Sequence, residues 1–231
     1  MILAAVSDIH APRYLAEFKR TLDSSPLSQA DALLLAGDIV HNNDHTQVDA
    51  VLGLIRSRYG GPVYACFGNN EFDGSERNYF AHEDVCWLWD QKARLEAGGR
   101  EAYVVGSKGV RDVVTPWLVW NTTPNPDPEG TRRIYAERMK TLRRLVSECR
   151  GKTTVVLTHF APCFDTVEGE DAWSPGELGS KEMEHMARTL QPSVWVHGHS
   201  HKSTHLSASI GRTRVYNVAL PATGRVTIIE V

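Results

Sequence analysis

Three apolar runs, 2–6, 32–36 and 63–67, alternate with two stretches whose apolar residues recur at helical spacing. This β-α-β-α-β order restricts the fold more than any other feature of the chain. It implies parallel strands joined by right-handed crossovers, which bring every carboxyl end to one edge. Open α/β sheets place their sites just beyond that edge. Here each run ends in metal-ligand residue types: Asp8-Ile9-His10, Gly37-Asp38 and Gly68-Asn69-Asn70-Glu71. Two later runs do the same, one ending in His159 and the other in Gly198-His199-Ser200-His201.

Between these landmarks the pattern varies in clarity. Helices are expected over 14–22, with Leu15, Phe18 and Leu22 on one face, and over 45–58, with Val48, Val51, Leu52 and Ile55. Gly60-Gly61-Pro62 ends the second. Short strands are expected over 103–106 and 117–120, and Pro124, Pro126 and Pro128 mark a surface loop. The clearest helix covers 131–150, with Ile134, Met139, Leu142, Leu145 and Val146 as its buried stripe. After a long loop over 160–178, Gly179-Ser180 opens a helix that runs to about residue 190. The tail reads as antiparallel strands over 204–209, 213–218 and 225–231, the first two joined at Ile210-Gly211-Arg212.

A chain of 231 residues, 42% of them hydrophobic, builds a substantial core, and without a visible boundary we expect one domain over 1–231. The net charge of −3 gives no global attraction to nucleic acid or anionic membranes. No apolar run reaches the length of a membrane span. No leader is visible, and four dispersed cysteines without a CxxC pattern read as reduced thiols, so a cytoplasmic location is expected.

Each ligand group alone has an ordinary explanation. Gly37-Asp38 reads equally as a turn with an Asx hydrogen bond, and His159 as a satisfied core histidine. Five strand ends carrying ligand types in this order are hard to explain by folding, because buried Asp and His cost free energy without partners. A mixed imidazole, carboxylate and amide set without cysteine points to Mn, Fe, Zn, Ni or Mg rather than Ca. Two such cations, Asp8, Asp38 and a bridging hydroxide leave a residual charge of roughly +1, which attracts a phosphate oxygen. Two metals clamp an in-line displacement and lower the pKa of a bridging water. The chemistry implied is phosphate-ester hydrolysis without a covalent enzyme intermediate.

In these motifs the chain resembles the calcineurin-like metallophosphoesterases. The family order D-x-H, G-D, G-N-H-[D/E], H and G-H-x-H appears as Asp8-Ile9-His10, Gly37-Asp38, Gly68-Asn69-Asn70-Glu71, His159 and Gly198-His199-Ser200-His201. The resemblance implies an α/β four-layer αββα sandwich, two mixed β-sheets flanked by helices. It implies one metal on Asp8, His10, Asp38 and His201 and a second on Asp38, Asn69, His159 and His199, with Asp38 bridging. Glu71 then supports the ligands from behind. The catalytic residues expected are Asp38, Asn70 and His159, and the cofactor two divalent ions, Mn foremost. One departure matters: Asn70 replaces the family histidine that assists the leaving group in monoesterases. An amide donates a hydrogen bond but is no acid near neutral pH. The expectation is a phosphodiesterase for a small, nucleotide-like diester. The alternatives are a phosphomonoesterase, a metal-stabilised scaffold or a nuclease, the last disfavoured by the lack of basic charge.

Further residues carry two readings each. His41, with Asn42 and Asn43, either touches substrate or lies in a polar loop. Phe164, Trp173 and Ser180 are substrate-binding candidates, Ser180 otherwise being a helix cap. The acidic 160–178 loop argues against a highly anionic substrate at that wall. His197 is expected to point away from the metals, because strand side chains alternate faces. The arginines of 131–150 read as a solvated helix face rather than a polyanion site. Trp87, Trp89, Trp117 and Trp120 read as core residues rather than a stacking platform.

Overall fold

The computed structural model describes residues 1–114, 127–171 and 175–231. The expected strand at 117–120, with Pro124, Pro126 and Trp173, lies outside these residues. Two mixed sheets form the centre. The first has strands β1 (Ile2–Val6), β2 (Ala32–Ala36), β3 (Val63–Cys66), β4 (Cys86–Trp87) and β11 (Thr227–Glu230), in the order β11-β1-β2-β3-β4. The second has β5 (Gln91–Ala97), β6 (Arg100–Ser107), β7 (Thr154–Thr158), β8 (Val194–His197), β9 (Ser207–Ile210) and β10 (Thr213–Asn217), in the order β5-β6-β7-β8-β10-β9. In each sheet four neighbouring strands run parallel, and antiparallel strands occupy the remaining edges.

The apolar runs are continuous because both faces of these strands are covered. Leu33 and Leu35 of β2 face the outer helices, whereas Ala32, Leu34 and Ala36 face the other sheet. In β7 and β8, Val156 and Trp195 point outward, and Val155, Leu157, Val194 and Val196 fill the space between the sheets. Each such Val or Leu contributes roughly 1.5–3 kcal/mol through burial.

Helices α1 (Leu15–Ser24), α2 (Val48–Arg56) and the short α3 (Glu76–Phe80) flank the first sheet. Helix α2 buries Val48, Val51, Leu52 and Ile55, the i, i+3, i+4, i+7 stripe read in the sequence. Helices α4 (Pro128–Glu148) and α5 (Lys181–Leu190) cover the second sheet, giving the expected αββα layers, and α6 (Leu220–Thr223) leads to β11. Ser180 caps α5, its Oγ accepting from the amides of Glu182 (3.1 Å) and Met183 (3.4 Å).

Several details differ from the sequence reading. Pro128 opens α4 instead of belonging to a loop, because the missing N–H costs nothing at a helix N-terminus. Ile134 is 46% exposed, so the buried stripe begins at Met139. The tail is only partly antiparallel: β9 and β10 form the expected hairpin, but β10 lies parallel to β8, and β11 crosses to pair with β1. Strand β5 escapes detection because it is an edge strand with exposed charges and one buried residue, Leu95. Cys86 is an exposed thiol; the other three cysteines are buried.

Candidate dinuclear metal centre

The five ligand segments meet at one end of the sandwich, held by backbone bonds that continue beyond the strands. Asp8 N donates to Gly37 O (3.0 Å) and His10 N to Asp38 O (2.9 Å). On the other sheet His159 N donates to Lys108 O (3.2 Å) and Gly198 N to His159 O (3.1 Å). Ser7 N to Val218 O and Val218 N to His197 O join the two groups. To turn side chains inward, Asp8, His10, Asp38 and His199 adopt φ of 58°, 43°, 51° and 71°. Left-handed backbone at non-glycine residues is strained and concentrates at functional sites.

Two glycines make the approach possible. A Cβ on Gly68 would overlap the Asp38 carboxylate, and one on Gly198 would overlap Ser7 Oγ and Asp8 Oδ2. The motif glycines are therefore space-makers for the ligands behind them.

Asp8 Oδ1 lies 2.9 Å from His201 Nε2 and 3.7 Å from His10 Nε2. The two imidazole Nε2 atoms face each other at 3.4 Å. Asp38 Oδ2 stands 3.5 Å from both His10 Nε2 and His159 Nε2, between the two clusters. The donor atoms of Asp8, His10 and His201, and those of Asp8, Asp38 and His159, each lie within 4.8 Å of one another. Asn69 Oδ1 is 3.0 Å from His159 Nε2. His199 is not part of either convergent group; its ring packs at 4.9 Å from the ring of His159. His41 is half-buried with its ring 5.7 Å from that of His10.

These residues fit divalent cations. His159 Nδ1–H donates to Ala36 O (2.9 Å), which turns Nε2 toward the oxygens of Asn69 and Asp38, where a bound cation would take the place of the proton that this nitrogen otherwise carries. Each cluster gathers imidazole nitrogens and carboxylate or amide oxygens about one point, a donor set that suits a divalent cation, and the His10, His201 and Asp8 trio is of the same kind. The charge balance agrees. Burial disfavours the His159 imidazolium, yet the Asp38 carboxylate carries its pKa up to about 9. Burial acts to raise Asp8 and Asp38, but the surrounding histidines bring both below the ordinary carboxylate range. The centre is thus a fixed concentration of negative charge that favours positive occupants.

Glu71 ties the motif loops together. Its carboxylate accepts from the amides of Asp38 (2.9 Å), Gly68 (2.7 Å) and Val40 (3.1 Å). Burial and the nearby Asp38 charge push its pKa up. Asn70 is equally engaged: its N and Nδ2 donate to Asp38 Oδ1 and Oδ2 (both 2.7 Å), and its Oδ1 accepts from Asn42 N (3.0 Å). The Ser180 hydroxyl is buried in its cap, and Phe164 lies under Lys181 Nζ, 5.7 Å from the ring centroid. His197 points into the outer layer, where Nε2 accepts from Thr166 Oγ1 (2.8 Å) and Nδ1 donates to Gly198 O (2.8 Å).

Sequence reasoning passed over Lys108, Arg111 and Arg138. Lys108 Nζ donates to Glu71 O (2.8 Å) and Asp73 Oδ1 (2.6 Å), so it joins the third motif to the segment that supports His159. Arg138, read as part of a solvated face, is 3% exposed and lies over the Trp89 ring with Nε 3.3 Å from Asp90. The signal was present: residues 107–111 follow a parallel strand, and so begin at the same rim as the other motifs.

The same fold recurs in solved structures. Phosphopantetheinyl hydrolase from Mycobacterium tuberculosis is similar over 95% of this chain and 89% of its own, with 18% identity and a TM-score of 0.67. TT1561 of Thermus thermophilus is similar over 99% and 98%, at 15% identity and 0.60. A dimetal phosphatase from Danio rerio is similar over 94% and 86%, at 9% identity and 0.59. No curated protein matches the chain in sequence. At these identities the structures establish the fold, while the calcineurin-like phosphoesterase model matches residues 1–203, a span that contains every ligand segment. The chain belongs to the calcineurin-like phosphoesterase family.

Proposed function

We propose that the protein is a dinuclear metal-dependent phosphodiesterase acting on a small diester. Asp8, His10, Asp38 and His201 would hold one cation, and Asp38, Asn69, His159 and His199 the other. The mixed nitrogen and oxygen set makes Mn the first ion to test. Two cations, when bound, polarise the phosphoryl oxygens and lower the pKa of a water between them. Asp38 stands between both halves of the centre, Asn70 orients its carboxylate, and Glu71 holds its backbone amide.

The observation that carries the diester reading is Asn70. The amide occupies the position of the family's leaving-group histidine, and its donor is engaged by Asp38 at 2.7 Å. No proton donor is supplied there to an alkoxide, and small family members lacking the histidine resemble diesterases. The similarity to a phosphopantetheinyl hydrolase and a dimetal phosphatase supports a phosphate ester as substrate without selecting its class. The test is hydrolysis of bis(p-nitrophenyl) phosphate beside p-nitrophenyl phosphate by stripped protein reloaded with Mn. Faster cleavage of the diester is the expected result. Efficient turnover of the monoester alone would replace this reading by a phosphomonoesterase.

A further inference from the structure

Lys108 and Arg111 line the wall beside Asn69, Arg138 reaches Asp73 of the same wall at 3.9 Å, and all three are buried, at 5%, 6% and 3% exposed. Two have carboxylate partners, Lys108 with Asp73 (2.6 Å) and Arg138 with Asp90 (3.3 Å). Arg111 differs. Among the described residues no carboxylate pairs with it, and only the Tyr135 hydroxyl, at 3.2 Å from Nε, takes one of its five N–H donors. A buried guanidinium without a counter-charge is costly, so its retention calls for an anion from outside the chain.

Its position says which anion. The Arg111 guanidinium rests 4.8 Å above the Phe160 ring, and that ring meets the His199 ring at 4.9 Å and the His159 ring at 5.4 Å. Arg111 is thus one aromatic ring away from the proposed second metal. A narrow cleft of about 20 Å³, lined by Asn69, Asp73, Lys108, Arg111, Thr131, Tyr135 and Phe160, lies between the ligand amide and the guanidinium, and its one carboxylate, Asp73, is already paired with Lys108 (2.6 Å). Phe160 separates Arg111 from the centre itself, so the guanidinium is set to meet a neighbouring group of the substrate rather than the reacting phosphoryl.

The acidic residues of the loop that follows His159 are largely engaged elsewhere. Glu168 pairs with His205 (2.9 Å), Glu170 accepts from Lys202 N (2.8 Å), and Asp171 pairs with Lys202 Nζ. Glu168, Glu170 and Asp171 are turned to the 202–205 segment, so these three do not exclude an anionic substrate as the sequence suggested.

We infer that Arg111, seated on Phe160 and oriented by Tyr135, binds a second phosphoryl group adjacent to the one that reacts, and that the substrate is a diphosphate-type ester. This rests on the phosphoesterase reading of the metal centre. A guanidinium suits the role because its planar fork engages two phosphoryl oxygens at once.

The test is calorimetric binding of inorganic phosphate and inorganic pyrophosphate to Mn-loaded wild type, Arg111→Gln and Arg111→Lys. Mn stoichiometry and thermal melting report the fold of each protein, and chelation in free solution is common to all three. Wild type should prefer pyrophosphate. Arg111→Gln should weaken pyrophosphate at least tenfold and phosphate less than threefold. Arg111→Lys, which keeps charge but loses the fork, should lie between, and it carries the test if the Gln variant fails to hold two metals. An unchanged ratio of the two affinities in the variants would overturn the inference, as would equal weakening of both ligands. Binding is read without turnover, so absent diester hydrolysis with an intact Arg111-dependent preference would sink the diesterase reading alone.

Discussion

At the residue scale, Asn70 and His197 illustrate how one side chain's partners decide its role. The Asn70 amide braces Asp38 but has no proton to give a leaving group. Asn70→His should raise p-nitrophenyl phosphate turnover by about tenfold or more, since a placed general acid contributes roughly 10²–10⁴. No gain in steady-state kcat would show that the pocket, not this side chain, excludes monoesters. His197 is held neutral: burial lowers its pKa to about 4, and the Thr166 hydroxyl occupies its free nitrogen. The unfolded chain takes up this proton near pH 6.5 and the folded chain does not, so the contribution to stability is complete above about 6.5 and lost as pH falls toward 4. His197→Gln should therefore reduce the stability lost by the metal-free protein between pH 7 and 4.5 by roughly 2 kcal/mol. Urea denaturation at the two pH values measures it, and equal losses in both proteins would place the pH sensitivity elsewhere.

At the element scale, the turns after the strands matter more than the strands. Gly68 lets the third-motif loop lie against Asp38, and a methyl group there meets the carboxylate. Gly68→Ala should fold yet bind less than two equivalents of Mn, a result read by elemental analysis after gel filtration. Full occupancy would show that the loop yields without disturbing Asp38. Helix α5 depends on its first residue. Ser180→Ala removes the acceptor for two amides and should cost about 1 kcal/mol in thermal or chemical unfolding, as cap removals do. Helix α2 was legible in the sequence from its apolar period, and α5 from its Gly179-Ser180 start. Strand β5 was not, because an edge strand with one buried residue leaves almost no pattern.

At the scale of the whole molecule, the candidate metal centre joins the two sheets. Asp8, Asp38 and Asn69 follow strands of the first sheet, and His159, His199 and His201 follow strands of the second. Cations bound there would bind the folded state alone and raise its stability by mass action, about 4 kcal/mol at a thousandfold excess over Kd. Adding Mn to stripped protein should raise Tm by several degrees. Asp38→Ala should lose most of that rise together with one metal and nearly all diester hydrolysis, while melting cooperatively without metal. An undiminished Mn-induced rise in the variant would remove Asp38 from the bridge. The sequence by itself determined the parallel strand ends, the candidate ligand residues and the family, because hydrophobic period and motif order are local properties of a chain. Only the tertiary structure decided the rest: that β11 returns to β1, that Lys108 and Arg138 are buried with partners, and that Arg111 is buried without a carboxylate among the described residues. Such facts depend on which distant segments meet, and a charged residue has the same appearance in sequence whether water or a carboxylate surrounds it.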